Sequence, residues 1–332
     1  MRFLKRLFLL CLFLALAAGG LFFWFATTPL PLRSSPLDFT IEPGMSLKRA
    51  STAMQEAGLG FEDWQFHLFG RALRQASAIK AGSYEVEQGV TPWQLLQKLT
   101  RGDVSQTDIT LVEGKTFRNF RALLDAHPDL RHDTAGLSDT EVLQRVGASE
   151  LHPEGLFLPD TYLFAKGSSD VDLLRRAYKA MQARFTLEWD RRAADLPYRS
   201  PYEALIMASI VEKETGDPAD RGMVASVFVN RLRSGMRLQT DPTVIYGIGE
   251  RYDGNIRKHH LTTDTDYNTY TRGGLPPTPI AMPGIASIQA ALHPPRSDKY
   301  YFVSRGDGTS EFSRTLDEHN RAVQKYIFKR GK

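Results

Sequence analysis

Leu7 to Ala26 is a run of twenty residues without a charged side chain. At ~1.5 Å per helical residue this matches a ~30 Å hydrocarbon core. Arg2, Lys5 and Arg6 precede it. A basic flank predicts a cytoplasmic tail over 1–6, a transmembrane helix over 7–26, and everything from Thr27 on outside. The rival is a cleaved signal peptide, since Ala15-Leu16-Ala17 resembles a cleavage site. The apolar run continues well past that point through GLFFWFA, and Trp24 reads as an interfacial anchor. Cys11, the only cysteine, sits mid-span. It leaves no possibility of an intramolecular disulfide or a cysteine-based metal site.

The remainder must therefore fold by its own core. With 332 residues, 42% of them hydrophobic, the chain is long enough for two domains. Net charge is +4, with no basic tract interleaved with aromatics. Nucleic acid is not favoured as a partner; the mild basic excess suits an acidic surface or polymer only weakly. TTPLPLRSSP, 27–36, reads as a short extended linker between the span and a soluble body.

After the linker one pattern recurs, starting at Phe39, Ser83 and Ile109. Each copy is an alternating strand, a glycine turn, a Ser or Thr cap, then a helix-period run. Ser46, Thr91 and Thr116 are the caps, and Pro92 suits a first helical position. The first copy, Ile41 to Ala57, resembles a LysM repeat, a wall-polysaccharide binder. It departs from that pattern in the long aromatic stretch FEDWQFHLFGRALRQ. A LysM-like module is expected over 37–116 and a mixed α+β catalytic domain over 117–332. PEGLFLPDTYLF, 153–164, is aromatic and poor in charge apart from Glu154 and Asp160; it reads as core or as one wall of a cleft.

The chemistry centres on SIVEKETGDP, 209–218. Ser200 and Pro201 open a helix that runs to Thr215. Its apolar residues go nearly all the way round, so it is buried. Glu214 lies over Ile210 and Val211, whereas Glu212 lies over Ala208 and Ser209. Apolar surroundings raise a carboxyl pKa, and the last turn of a helix disfavours the negative form further. A carboxyl protonated near neutral pH is what a general acid needs. The alternative on spacing alone is that both glutamates pair with Lys213, Arg221 or Arg231 at the surface. Downstream, Gln239, Thr240, Asp241, Thr243 and Tyr246 crowd into eight residues, and a long proline-rich loop over 266–284 carries Asn268 and Tyr270. Long loops of this kind are usually functional, and amides, hydroxyls and aromatics suit sugars. A β-hairpin turned at Asp307-Gly308 follows, then a closing helix over Leu316 to Phe328.

ASIVEKET, VASVFVNRLRSGMRLQTDPTVIYG, YNTY, GLPPTPIAMPG and EHNRAVQKY together resemble the YceG-like (MltG) family of membrane-anchored endolytic lytic transglycosylases. The resemblance covers the anchor, the LysM-like module and the C-terminal half. It implies cleavage of nascent peptidoglycan strands between N-acetylmuramic acid and N-acetylglucosamine, leaving a 1,6-anhydro end and terminating elongation. It implies peptidoglycan synthases (penicillin-binding proteins) as partners and, with the basic flank, an inner-membrane location with the body periplasmic; no motif indicates a nucleotide or metal cofactor. The family pattern puts the catalytic glutamate at Glu214, and Gln239, Asp241, Tyr246, Asn268 and Tyr270 stand as candidate substrate contacts. Such an enzyme needs one carboxylate, because the sugar's own C6 hydroxyl replaces water. Asp241 is the tempting second carboxylate of a hydrolase, though a loop or sugar-binding role suits it better. A non-catalytic glycan-binding scaffold is the alternative. Ser77 to Lys80 matches S-x-x-K without its companion motifs, and His259-His260 lacks metal-ligand partners.

Overall fold

The computed structural model describes residues 2–328; Met1 of the expected tail and 329–332 of the expected catalytic domain lie outside them. The chain forms two compact units. The first comprises Met1–Asp108 with Leu163–Ser168; the second comprises Ile109–Tyr162 with Ser169–Lys332. The division falls before Ile109, whereas the module was expected to end at 116.

The first unit opens with helix α1, Arg2–Thr27. Its stretch Phe3–Thr27 has a mean hydropathy of 2.4, and it is the one helix among the described residues long and apolar enough to cross a membrane. Strand β1 (Leu37–Ile41), helices α2 (Leu47–Ala57) and α3 (Asp63–Ala72), strand β2 (Gly82–Val86) and helix α4 (Pro92–Arg101) follow. β1 and β2 pair antiparallel in the register Phe39↔Tyr84. β1 alternates buried and exposed residues, as period-two sheet geometry demands. The core gathers Phe39, Ile41, Met54, Phe66, Phe69, Tyr84 and Leu95. The aromatic stretch 61–75 that departs from the LysM pattern contains α3 and its flanking residues.

Segment 27–36 is not a free spacer. Leu30 N–H donates to Val90 O at 2.8 Å, Arg33 N–H to Gly58 O at 3.0 Å, and Pro31 O accepts from Gly60 N–H at 2.7 Å. Leu30 is buried in the core. Composition read these residues as an extended tether. They are extended, but their backbone groups find partners 25 to 60 residues away, a satisfaction of polar groups that local sequence does not announce.

The recurring pattern holds as local geometry. Ser46, Thr91 and Thr116 each accept the backbone N–H three residues on, from Arg49, Gln94 and Asn119. Gly44, Gly89 and Gly114, at φ +82°, +99° and +73°, make the preceding turns in a region costly for other residues.

Strand β3 (Gln106–Thr110) carries the chain into the second unit. There α5 (Phe117–Asp125), the short strand β4 (Leu130–Arg131) and α6 (Asp139–Val146) come first; strands β5 (Thr161–Ala165) and β6 (Ser168–Ser169) each cross the division between the units, and the long helix α7 (Asp170–Asp190) then precedes the catalytic candidates. Phe157 of the 153–164 segment is fully buried and stacks on Phe117 at 5.0 Å. Helices α8 (Pro201–Glu214), α9 (Pro218–Arg233), α10 (Asp241–Ile248), α11 (Lys258–Thr262) and α12 (Ile285–Leu292) follow. Between α11 and α12 no helix or strand forms, as expected of 266–284. The hairpin β7 (Tyr301–Ser304) and β8 (Ser310–Ser313) leads to α13 (Leu316–Val323), which continues as a π-helical turn to Phe328. The molecule is thus mixed α+β, with one apolar N-terminal helix.

Candidate active site

Ser200 caps α8 by accepting Glu203 N–H at 3.3 Å, and Pro201 takes the first helical position. Ala204 to Val211 are all buried. The lone hydroxyl among them, Ser209, is satisfied twice: it donates to Ile206 O and accepts Ile280 N–H at 3.0 Å. The helix stops at Thr215, which turns extended. Asp217 then caps α9, accepting Ala219 N–H at 2.9 Å. The α8 terminus is therefore set by core packing on one side and a new cap on the other.

Glu214 emerges at that terminus into a cavity of about 380 Å³. Part of the residue stays accessible while protein encloses the carboxyl almost completely. Burial pushes its pKa up to about 7; the nearby Asp241 charge pushes the same way, while the Thr240 hydroxyl and Arg231 act against it. Thr240 Oγ1 donates to Glu214 Oε1. Thr240 is positioned in turn by Thr269, whose Oγ1 accepts its N–H at 3.1 Å, and by Thr243, whose hydroxyl donates to its carbonyl at 2.8 Å. Gln239 sits at φ +50°, uncommon for a non-glycine residue, with its N–H donated to Thr269 O. Arg231, buried in the same wall, donates to Tyr300 O and Leu238 O, both at 2.7 Å. Its cation is thus fixed by carbonyls and left facing Glu214 without an ion pair to it.

The residues singled out in the sequence divide three ways. Gln239, Asp241 and Tyr270 line the Glu214 cavity, and Tyr270 donates its hydroxyl to Asp241 Oδ1 at 2.6 Å. Tyr246 lines a different cavity. Asn268 is buried: its amide donates to the carbonyls of His260, Leu261 and Thr263, and its Oδ1 accepts Tyr270 N–H. It shapes the loop that presents Tyr270. Glu212, two residues from Glu214, turns elsewhere and accepts the N–H of Gly284, the cap residue of α12, at 3.0 Å. Lys213 donates to Gly114 O. Among the described residues neither glutamate forms the surface ion pairs that spacing left open.

Glu154 is the residue the sequence did not single out as a site. It is 3% exposed, and burial pushes its carboxyl up to about 7. Phe117 N–H donates to one oxygen at 2.9 Å and the Tyr246 hydroxyl to the other at 3.0 Å. It borders a cavity of about 920 Å³ shared with Lys213, Pro242, Ile245 and Tyr246. Helix α10 contributes to both cavities: Asp241 to the smaller, Pro242, Ile245 and Tyr246 to the larger. A carboxylate in an otherwise apolar run was the available signal; its partners lie too far along the chain to be read.

One group among the described residues has donor atoms close enough to share a cation, Asp125, His132 and Asp170, within 4.8 Å of one another. It shares no residue with either cavity. Lys80 of the S-x-x-K match donates to Arg101 O. His259 and His260 lie edge to face on the short helix α11.

Comparison with known proteins bears on this arrangement. The model of the YceG-like family matches residues 39–325. An endolytic murein transglycosylase of Bacillus subtilis (strain 168) is 31% identical over 94% of this chain and 91% of its own length. One from Streptococcus pneumoniae (strain ATCC BAA-255 / R6) is 24% identical over 95% of this chain, which spans 64% of that longer protein. A crystal structure of a YceG-like protein from Listeria monocytogenes is similar at 31% identity and a TM-score of 0.54, covering 86% of this chain and 98% of that one.

Proposed function

The chain belongs to the YceG-like family, and from that premise we propose that it is a peptidoglycan lytic transglycosylase whose acid and base are one residue, Glu214. The observation that carries this reading is a carboxyl held near pKa 7 at the wall of an accessible cavity. At neutral pH a substantial fraction is protonated and can be donated. Glu214 protonates the glycosidic oxygen as the C1–O bond of N-acetylmuramic acid breaks. Its carboxylate then takes the proton of the C6 hydroxyl as that oxygen bonds to C1. The proton returns to Glu214, no water is consumed, and the product is a 1,6-anhydro end. Arg231 stands close enough to temper the charge of the deprotonated intermediate state. Gln239, Asp241 and Tyr270 are proposed as sugar contacts, and Tyr246 as a contact along the larger cavity. Asn268 acts by positioning Tyr270.

The first unit is proposed as a LysM-like glycan-binding module and α1 as a retained inner-membrane span with the body periplasmic. That placement would set the enzyme beside penicillin-binding synthases, where cutting nascent strands ends their elongation. Mass spectrometry of products from purified glycan strands tests the reaction. Anhydro-ended products, one water lighter than hydrolysis products, support it. Reducing ends would instead indicate hydrolysis with a second carboxylate, Asp241 foremost.

A further inference from the structure

Most of α1 presents exposed apolar side chains, from Phe3 to Trp24. Its last turns are different. The Phe22 and Phe25 rings lie 5.1 and 5.6 Å from the ring of Phe69 on α3, and Ala26 is buried. Phe22 stands four residues before the apolar run ends at Ala26, about 6 Å along the axis at ~1.5 Å per residue. Helix α3 is therefore fixed alongside the final turn of the span, not above it. At that depth a surface meets the layer where acyl chains give way to headgroups.

The outer face of α3 has the composition that layer selects. Trp64, His67, Leu68 and Arg71 fall at i, i+3, i+4 and i+7, one stripe of the helix. Phe66, Phe69 and Gly70 on the other side are buried. Trp64 is 60% and Leu68 58% exposed, an unusual expenditure of large apolar side chains in a ten-residue helix whose core face is already filled. Arg71 and, just past the helix, Arg74 are exposed as well. The acidic residue of the first turn, Asp63, is turned inward to the Thr52 hydroxyl at 3.1 Å. An aromatic and aliphatic pair backed by cations is the pattern of a helix lying in an anionic lipid interface.

We propose that the outer face of α3 lies in the headgroup–acyl boundary of the bilayer that α1 spans, with Trp64 and Leu68 among the acyl ends and Arg71 on lipid phosphate. The first unit is then seated on the membrane, not suspended above it. This rests on the reading of α1 as a retained span. The pinned segment 27–36 agrees with it, because a unit seated on the bilayer has no need of a free tether.

The test uses the full chain in nanodiscs of phosphatidylethanolamine and phosphatidylglycerol with acyl chains brominated near the headgroup. Of Trp24, Trp64, Trp93 and Trp189, one is kept at a time and the others are replaced by Phe. Bromine quenches indole emission only at contact. The expected result is that Trp64 loses emission to the same extent as Trp24. Quenching of Trp24 with none of Trp64 overturns the proposal and leaves the anchor standing. Trp64 shielded from aqueous iodide yet unquenched by bromolipid places a protein on the face, and also overturns it. No quenching of Trp24 removes the anchor reading and the proposal together. As a second readout, Arg71→Glu should weaken Trp64 quenching and leave Trp24 quenching unchanged; no change in either counts against contact with lipid phosphate.

Discussion

Glu214 and Glu154 are two carboxyls of the same unit raised to the same value, about 7, by the same leading cause, burial. Their surroundings nonetheless assign them different work. Glu154 accepts a donor on each oxygen, from the Phe117 backbone and the Tyr246 hydroxyl. Glu214 accepts one donor, Thr240, and its Oε2 has no protein partner among the described residues. A carboxyl held on both sides braces the elements that hold it, here the start of α5 and helix α10. A carboxyl with one side open to a cavity can give and take a proton. A shifted pKa therefore marks burial, and geometry decides whether the proton is usable.

The comparison breaks most sharply under Glu214→Gln. General acid–base help is worth roughly 10²–10⁴ in rate, and the proposed mechanism gives both steps to one residue, so kcat should fall at the upper end of that range. The fold should survive, since a neutral amide is easier to bury than a carboxylate. Steady-state turnover on purified strands, with a melting curve on the same sample, checks both halves. A variant that melts normally and still cuts well contradicts the assignment.

Glu154→Gln should do the reverse. Between the ordinary carboxyl value of 4.5 and about 7, the native state holds a proton that the unfolded chain has released. Stability therefore falls as pH rises through that window, by about 3 kcal/mol in all. The amide removes this slope: its oxygen can still accept Phe117 N–H and its NH₂ can donate to Tyr246. Urea unfolding from pH 4.5 to 8 should show a flatter profile for the variant, with turnover changed by roughly tenfold or less, the scale of one neutral hydrogen bond. A turnover loss as large as that of Glu214→Gln would erase the distinction.

What could be read in the sequence follows from where each residue's partners lie. The burial of α8 and the position of Glu214 at its end are local facts, written in Ala204 to Val211 and in the stop at Thr215. The three Ser and Thr caps are local too. Glu154 is not legible as a site in the sequence, because its donors sit 37 and 92 residues away along the chain. Asn268 looked like a sugar contact by residue type, yet its amide is spent on three carbonyls of its own loop. Segment 27–36 looked like a tether for the same reason: prolines signal extension, but not what an extended segment docks against.

Smaller effects sharpen the picture around Glu214. Asp241→Asn removes a negative charge that helps keep Glu214 protonated, so the Glu214 pKa should drop. It also weakens the hold on Tyr270. Activity at neutral pH should fall by roughly tenfold, the cost of one good hydrogen bond, and its alkaline decline should begin at lower pH. A rate profile of the variant shows both. Glu212→Gln should change least, since the amide oxygen can still accept Gly284 N–H; turnover near that of wild type is the expected result.

The pH dependence of kcat/KM reports most directly on whether Glu214 is the acid that starts the reaction. With its carboxyl near 7 and required in the protonated form, the wild-type rate should decline on the alkaline side of about 7. Glu154→Gln should keep that decline in place, which assigns it to Glu214. A decline centred near 4.5, or a rate that climbs through neutral pH, would mean that the group in action is an ordinary carboxylate serving as a base, and would contradict the account.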